Sequence, residues 1–550
     1  MKTFKLILLF IFAGASPAFA QTASKQLIAD FDKLLTEQFK SGESGCAALV
    51  AQKGQVLYKK AFGMADIELN VPMQSDMVFR IGSITKQFTA VCILQLMEQG
   101  KLGLQDEITK FIPDYPTQAH KITIEHLLTH TSGIMSYTGM KNFQDIIRKD
   151  MKPEEIIDFF KNQPMEFAPG SKWNYNNSGY FLLGYIIEKV SGKTYPQYLE
   201  ENIFKPLGMT NSFYGSNNKI IRNRASGYQP ANEGTVNTDI MSMTIPYAAG
   251  SIQSTVEDLY KWHQALHAYK VVKKENLEKA FTEYKLTDGK GTHYGYGWSL
   301  SVVQGSPTIE HGGGINGFLT NAIYLPNEDV FVAVFSNSNA KSPTDISVKM
   351  AALTIGKPYN YKEIRLDDAT LESYPGVYEN EEGTQRIITK ADKQLFSQRT
   401  GGPKYAIKAY ENDKFFFPNS LTTLAFQRDN QNKITRVISA ERAVEIIWNK
   451  TTKPIPSAKT EITVIEAVLS QYTGEYHVTP AFSLTITKEG PRLFAQATGQ
   501  GKNEIFAETE NKFFLKVVDA QVEFIKDANG QFSKLILYQG GQKIEGTKKQ

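Results

Sequence analysis

A serine and a lysine three residues apart, Ser83 and Lys86 in Phe79-Arg80-Ile81-Gly82-Ser83-Ile84-Thr85-Lys86-Gln87-Phe88, could together do chemistry that neither does alone. A serine alcohol is a poor nucleophile until its proton is taken. A lysine in a partly desolvated site can lose its own proton near neutral pH and act as the base. On a helix this spacing puts hydroxyl and amine on one face, one turn apart. A helix start adds unpaired N–H groups and a positive dipole end, both favourable to an oxyanion. The spacing alone is weak, because a lone S-x-x-K also reads as an N-cap with a solvated lysine. Ser338-Asn339-Ala340-Lys341 repeats it in this same chain.

Serine chemistry also needs a proton shuttle, a donor for the substrate amide and an oxyanion hole. Tyr175-x-Asn177 offers the first two: Tyr175, with its pKa pulled down beside Lys86, could carry a proton, and Asn177 could donate to and accept from an amide. The same pattern in Tyr378-Glu379-Asn380 and Tyr410-Glu411-Asn412 falls far along the chain. Glu310-His311-Gly312-Gly313-Gly314 ends a strand. Its glycines would let a substrate backbone pair along the strand edge and let the Gly314 N–H reach a carbonyl oxygen, although a hairpin would explain them equally well. His126 and His130 are spaced as two metal ligands on a helix face, but Glu125 precedes both and no third ligand is evident, so no metal is expected. No G-x-S-x-G nucleophile elbow occurs, which removes the α/β-hydrolase reading.

The elements that must position these groups follow from periodicity. Ile84, Phe88, Cys92 and Leu96 recur every fourth residue, so a helix with one buried face is expected from Ser83 to a stop at Gly100. Leu27, Phe31, Leu34, Leu35 and Phe39 mark an amphipathic helix over 22–40. Cys46 to Ala51 and Val56 to Phe62 read as strands, 141–163 as a helix, and Phe181 to Val190 as another. Tyr294 to Val303, Thr308 to Gly312, Phe318 to Leu325 and Val330 to Ser336 read as antiparallel strands, followed by a closing helix over 341–355. Strands at both ends with helices between predict one mixed domain whose sheet is assembled from distant pieces.

At 550 residues the chain has room for three or four domains, and 41% hydrophobic with 21% charged residues is an ordinary globular balance. Met1 to Ala20 carries a basic start, an apolar run and the small-x-small ending Ala18-Phe19-Ala20, which predicts a secretory leader cleaved after Ala20 and a secreted or periplasmic protein. The formal charge of +4, less leader residues Lys2 and Lys5, is +2, which excludes a nucleic-acid partner on charge grounds. No later apolar run reaches the roughly 18 residues of a membrane span. Cys46 and Cys92 both lie in apolar runs and read as unpaired core residues ahead of a disulfide.

Beyond about residue 357 short strands dominate, and the chain repeats itself. Tyr374-Pro375-Gly376-Val377-Tyr378 matches Tyr472-Thr473-Gly474-Glu475-Tyr476, Leu395-Phe396 matches Leu493-Phe494, and Lys414-Phe415-Phe416 matches Lys512-Phe513-Phe514, always 98 residues apart. Two copies of one small antiparallel barrel or sandwich are expected, over 370–450 and 468–548, joined by a Lys/Thr/Pro-rich linker near 450–460.

Taken in order, Ser83-x-x-Lys86, Tyr175-x-Asn177 and His311-Gly312-Gly313 resemble the three motifs of the serine β-lactamase and penicillin-recognising hydrolase family, on its class C and D-alanyl-D-alanine carboxypeptidase side. His126 to Gly133, Pro169 to Tyr180, Ala249 to Leu259 and Tyr294-Gly295-Tyr296-Gly297-Trp298 also look like its hallmarks, and the likeness spans roughly residues 25–355. The resemblance implies an α/β (α+β) β-lactamase/transpeptidase-like domain over 21–357, with an antiparallel sheet flanked by helices and a helical subdomain. The tail is similar to lipocalin-like C-terminal modules. It further implies Ser83 as acyl-enzyme nucleophile, Lys86 and Tyr175 as general base and acid, and Asn177, His311, Gly313 and Gly314 at the substrate. The N–H groups of Ser83 and Gly314 would form the oxyanion hole, and no metal or organic cofactor is implied. Small peptide, amide or ester substrates are expected, cell-wall peptide fragments among them. Dedicated class C β-lactamases carry Lys-Thr-Gly as the third motif, whereas His311-Gly312-Gly313 is more similar to the carboxypeptidase, D-aminopeptidase and esterase branches.

Overall fold

The computed structural model describes residues 17–231, 234–418, 420–456, 459–479, 482–540 and 542–549. Met1 to Ser16, most of the expected leader, lie outside these residues, as do Ser457 and Ala458 of the expected linker. The chain falls into two compact units. One comprises residues up to Gln229 together with Asn237–Pro358, the other Pro230–Val236 with Tyr359–Gln550.

The first unit is organised on a six-stranded antiparallel sheet. In chain order its strands are β1 (Cys46–Gln52), β2 (Gln55–Phe62), β3 (Ser299–Val303), β4 (Ser306–Ile315), β5 (Phe318–Leu325) and β6 (Val330–Ser336). Their order across the sheet is β3-β4-β5-β6-β1-β2, so the first hairpin docks on the last strand, Cys46 opposite Ser336, and the sheet is indeed built from distant pieces. Every residue of β6 and nearly all of β1 is buried, which requires cover on both faces and explains why these strands read as unbroken apolar runs rather than alternating ones. The helices Pro17–Gln38 and Thr344–Thr354 pack together, the latter against β5 and β6, while Val256–His267 packs against β6 and β1. Cys46 and Cys92 are unpaired, and burial pushes both thiols well up, so both serve as small core hydrophobes.

The expected serine–lysine helix is present and differs from expectation in one respect. A single 3₁₀ turn, Gly82–Ile84, precedes the helix Thr85–Glu98, and Gly82 takes a left-handed φ of 52°. Ile84, Phe88, Cys92 and Leu96 are fully buried, but so are Thr85, Lys86, Thr89, Val91 and Ile93. The helix is thus enclosed on nearly all sides, with Phe88 stacked on Trp262 at 4.2 Å, rather than buried along one stripe. The expected helix over 141–163 is corrected. Only Pro153–Phe160 is helical, starting at Pro153, whose missing N–H suits the first turn, and Phe143–Asp145 before it is a single 3₁₀ turn. The strand expected from Tyr294 begins only at Ser299, because Gly295 and the left-handed Gly297 fold Tyr294–Trp298 into a loop. On Gly297 a Cβ would come within 2.8 Å of the Lys86 carbonyl oxygen, so this loop lies directly on the first turn of the serine–lysine helix.

The second unit holds two closed eight-stranded antiparallel barrels in simple chain order, Gly376–Lys450 and Gly474–Lys548. The 98-residue repeat is visible in their framework. Tyr378 donates its hydroxyl proton to the Tyr374 carbonyl (2.6 Å) just as Tyr476 does to Tyr472 (2.9 Å). A Cβ on Gly376 would strike Lys450 and one on Gly474 would strike Lys548, at 2.7 and 2.6 Å. Each barrel has its own apolar core. The first includes more chain than the repeat alone marks, since Tyr361 packs on Tyr410 (4.6 Å) and Phe416 (5.3 Å), and Asp367 caps a short helix. A fragment beginning at Tyr359 is therefore expected to give β-type circular dichroism and a cooperative melt, and a fragment beginning at Leu371 to melt earlier; a disordered product from Tyr359 would show that the barrels need the first unit to fold.

Candidate active site

Ser83, Lys86, Tyr175 and Asn177, from two separate stretches of chain, meet at one point. Lys86 Nζ lies 3.1 Å from Ser83 Oγ, 2.8 Å from Asn177 Oδ1 and 2.9 Å from the Ala249 carbonyl oxygen. It sits 4.7 Å from the centre of the Tyr175 ring, and the Tyr175 hydroxyl is hydrogen-bonded with Ser83. Lys86 is completely buried, whereas Ser83, Tyr175 and Asn177 are half-buried. Burial, with no carboxylate partner among the described residues, pushes the Lys86 pKa well below the usual lysine range. A neutral amine has two N–H donors and one lone pair. Asn177 Oδ1 and the Ala249 carbonyl can only accept, so they take the two N–H groups, and the lone pair is left for the Ser83 hydroxyl to donate to.

Asn177 is positioned by its own helix, Asn177–Ser191, which Asn176 caps by accepting from the Gly179 N–H at 2.8 Å. Its amide oxygen accepts from Lys86 and its Nδ2 donates to Thr138 Oγ1 at 3.0 Å. Much of the amide expected to meet a substrate therefore holds the lysine. The expectation for Tyr175 is corrected as well. Its pKa is raised, not lowered, because burial outweighs the hydrogen bond with Ser83. The site thus sets an amine with a lowered pKa beside a phenol with a raised one.

The glycine strand β4 supplies the opposite wall. A Cβ on Gly313 would lie 2.0 Å from the Ile81 carbonyl oxygen, and one on Gly82 would lie 2.9 Å from the Gly314 nitrogen. No side chain larger than hydrogen fits either place, so close approach of two backbones, not a hairpin, explains these glycines. Thr320 Oγ1 donates to the Ile81 carbonyl (2.9 Å), while Ile81 N–H donates to Ile252 (3.0 Å), which pins the strand leading into Ser83 from two sides. The result is that the Gly314 backbone stands against the turn carrying Ser83. Strand β3 leaves β4 at Ser299 opposite Glu310, so among the described residues β4 from His311 onward has no strand partner on that edge.

His311 stands on β4 next to the glycines. It is buried, its Nδ1 lies 2.5 Å from the Gly312 carbonyl oxygen, and its Nε2 lies 2.9 Å from the Tyr294 hydroxyl. The carbonyl can only accept, so Nδ1 carries the proton and Nε2 accepts from Tyr294. Burial pushes its pKa down to about 3. The imidazole stands beside the Tyr175 ring, 6.1 Å between centres, rather than offering a titratable charge to a substrate.

His126 and His130 do not form a ligand pair. The helix between them ends at Leu128, His130 takes a left-handed φ of 60°, and His126 Nδ1 accepts from the Thr123 N–H in a capping box. His130 is buried, its Nδ1 accepting from the Asn176 N–H and its ring 4.4 Å from Tyr175 and 4.7 Å from Tyr294. Among the described residues no cluster of His, Cys, Asp or Glu could hold a metal. The second S-x-x-K dissolves: Ser338 and Lys341 lie in a turn, and Lys341 pairs with Glu43 at 2.7 Å. Three contributors escaped the motif reading. The Ala249 carbonyl is backbone, Thr138 lies in an unpatterned loop, and the Tyr294–His311 bond joins residues whose pairing no spacing announces.

An antiparallel sheet with helices on both faces and a serine beside a buried lysine at a glycine strand define a serine hydrolase of the β-lactamase/transpeptidase fold. The Beta-lactamase family model matches residues 25–356, and this chain belongs to that family. A second model, Domain of unknown function (DUF3471), matches residues 458–548. A penicillin-binding protein of Bacillus subtilis (strain 168) is 30% identical over 396 residues, 67% of this chain and 86% of the relative. Among solved structures, the octameric penicillin-binding protein homologue from Pyrococcus abyssi matches at 27% identity and a TM-score of 0.55, over 77% of this chain and 99% of that one. The D-amino acid amidase from Ochrobactrum anthropi SV3 matches at 25% identity and a TM-score of 0.53, over 61% of this chain and 98% of that one.

The burial of His311 has a measurable consequence. With its pKa near 3, the group changes charge only far below neutrality. The ratio of kcat/KM for a carboxylate-bearing substrate to that for an uncharged ester is expected to stay flat from about pH 5 to 8, where an unperturbed imidazole of pKa ~6.5 would make it rise on acidification. A rise through that range, abolished in His311→Gln, would place a titrating imidazole at the substrate.

Proposed function

We propose that this protein hydrolyses D-amino-acid amides and peptides through an acyl-enzyme on Ser83. The observation that carries the reading is the buried Lys86 amine, held by Asn177 Oδ1 and the Ala249 carbonyl and 3.1 Å from Ser83 Oγ, with a pKa pushed well below the usual lysine range by burial. Ser83 gives its proton to Lys86 Nζ as Oγ attacks the substrate carbonyl. The N–H groups of Ser83 and Gly314 receive the oxyanion. Tyr175 donates its phenolic proton to the departing nitrogen and regains one from the Lys86 ammonium, so the site is neutral again once the acyl-enzyme has formed. Water attacking the ester, with its proton taken by the same pair, completes the cycle.

The amide class is favoured by what the glycine strand lacks. A lysine at position 311 would hold a permanent positive charge for a substrate carboxylate, whereas the buried, neutral His311 holds none. Substrates whose reacting end is an amide or ester fit this wall better than those bearing a free carboxylate there, such as β-lactams or peptide C-termini. The relatedness to a D-amino acid amidase and to a D-stereospecific amidohydrolase from Streptomyces points the same way. Uncharged esters are a second substrate class supported by the same neutral wall. Export rests on the leader-like Met1 to Ala20.

Incubation with an activated ester or a penicillin is expected to add one acyl mass to the intact protein, and Ser83→Ala to abolish it; an adduct that persists in Ser83→Ala and disappears in Ser338→Ala would sink the assignment. Lys86→Arg, permanently charged, should lower kcat/KM for D-alanyl p-nitroanilide by about 10²–10⁴, and Tyr175→Phe should do the same for the anilide while sparing esters, whose leaving groups need less help. Because the base works only when unprotonated, activity is lost as pH falls through the Lys86 pKa. The acidic limb is expected well below the usual lysine value of ~10.4, and a limb near 10 would contradict the neutral amine.

A further inference from the structure

The two barrels share one framework and have different interiors. In the second, Leu484, Ala495, Ala497, Asn503, Leu515 and Leu537 line a cavity of about 140 Å³. Ninety-eight residues earlier the same positions are Arg386, Ser397, Arg399, Tyr405, Phe417 and Ser439, and Trp448 stands where the second barrel has Gly546. Arg386 and Arg399 are directly opposed on neighbouring strands, so their side chains share one face, and both guanidinium groups lie over the Trp448 ring, at 4.7 and 5.2 Å from its centre. Arg386 is 4% exposed; it donates from Nη1 to Ser397 Oγ at 2.8 Å, and its Nε finds no acceptor among the described residues. Burial, and then Arg399, push its pKa down to about 10, so it is charged at neutral pH with another cation as its electrostatic neighbour. Trp448 is itself fixed by donating from Nε1 to Ser439 Oγ at 2.8 Å.

Two like charges directly opposed and a guanidinium N–H without an acceptor both work against folding, and an anion would relieve both. Two acids at this end of the barrel are engaged elsewhere: Glu441 accepts from Thr422 Oγ1 at 3.1 Å, and Asp519 accepts from the Gly401 N–H at 3.3 Å. Tyr405 faces inward opposite Ser397, is 57% exposed, and contacts Phe417 edge-to-face at 6.3 Å, which makes an aromatic wall beside the cations. Arg399 is exposed at the rim, where its long side chain can swing to admit a ligand toward Arg386. We propose that this end of the first barrel is a binding site for an organic carboxylate, the anion bridging Arg386 and Arg399 and the apolar body lying against Trp448, Tyr405 and Phe417. The barrel mouth is a common place for such a site, and planar guanidinium groups suit a carboxylate.

Calorimetric titration of the full-length protein with benzoate tests this, with benzamide as the uncharged counterpart. Benzoate is expected to bind one saturable site, with benzamide at least tenfold weaker, as the loss of a charged hydrogen bond requires. Arg386→Gln should weaken benzoate binding at least tenfold, and Arg399→Gln should weaken it with little effect on the melt because that side chain is exposed. Ester turnover should be unchanged in both, which separates this site from Ser83. Benzoate binding unaltered in Arg399→Gln and in a folded Arg386→Gln, equal affinity for benzamide, or no saturable heat at millimolar benzoate would each overturn the proposal.

Discussion

Everything at the reactive centre depends on keeping one amine dry. Moving an ammonium from water into a protein interior costs on the order of 20 kcal/mol in the idealised limit and several after relaxation. An unpaired buried lysine therefore gives up its proton rather than bear that cost. Lys86 is fully buried with no acid beside it, and two neutral acceptors, Asn177 Oδ1 and the Ala249 carbonyl, meet its N–H groups. A carboxylate in either place would restore the proton and abolish the base. The helix around it is buried on almost every side for the same reason, since a solvated flank would let water re-ionise the amine.

The second constraint is steric. The serine turn and the glycine strand come so close that Gly82, Gly313 and Gly314 act as one joint: Gly313 has Ile81 against it, and Gly82 has Gly314. This contact brings two backbones together where a substrate carbonyl must sit, so the oxyanion site is set by the chain path more than by any side chain. It also forces the end of β4 to run on beyond β3, leaving an edge along which an extended substrate can lie.

What the sequence made legible were the features with a period or a punctuating residue. The Thr85–Glu98 helix, the four late strands and the 98-residue repeat all carry such marks, and so do the Ser83, Tyr175 and Gly313 motifs that the fold brings together. The failures have physical causes. The stretch after Lys141 has helical composition, but the helix starts only at Pro153, and tertiary contacts decide the turns before it. The Tyr175 pKa was expected to be pulled down beside Lys86, but burial, which no local spacing announces, raises it instead. His311 has an exposed-looking glycine neighbourhood, yet strand alternation turns it and Gly313 inward while Gly312 and Gly314 face out. No spacing in a sequence reveals which backbone carbonyl will receive a lysine N–H.

The two barrels carry this distinction between framework and content to its limit. Tyr374 and Tyr472, Gly376 and Gly474, and Lys450 and Lys548 make matching contacts in both copies where the barrel closes. The residues that point into the barrel from the opposite end close nothing, so they are at liberty to differ, and they do so in chemical kind rather than in size alone. Arg386 and Trp448 fill with charge and ring what Leu484 and Gly546 leave as an apolar void. An apolar interior needs no explanation beyond the hydrophobic effect. A buried guanidinium facing a second one does, because an aliphatic side chain such as Leu484, which holds the same position in the companion barrel's core, brings no charge to desolvate.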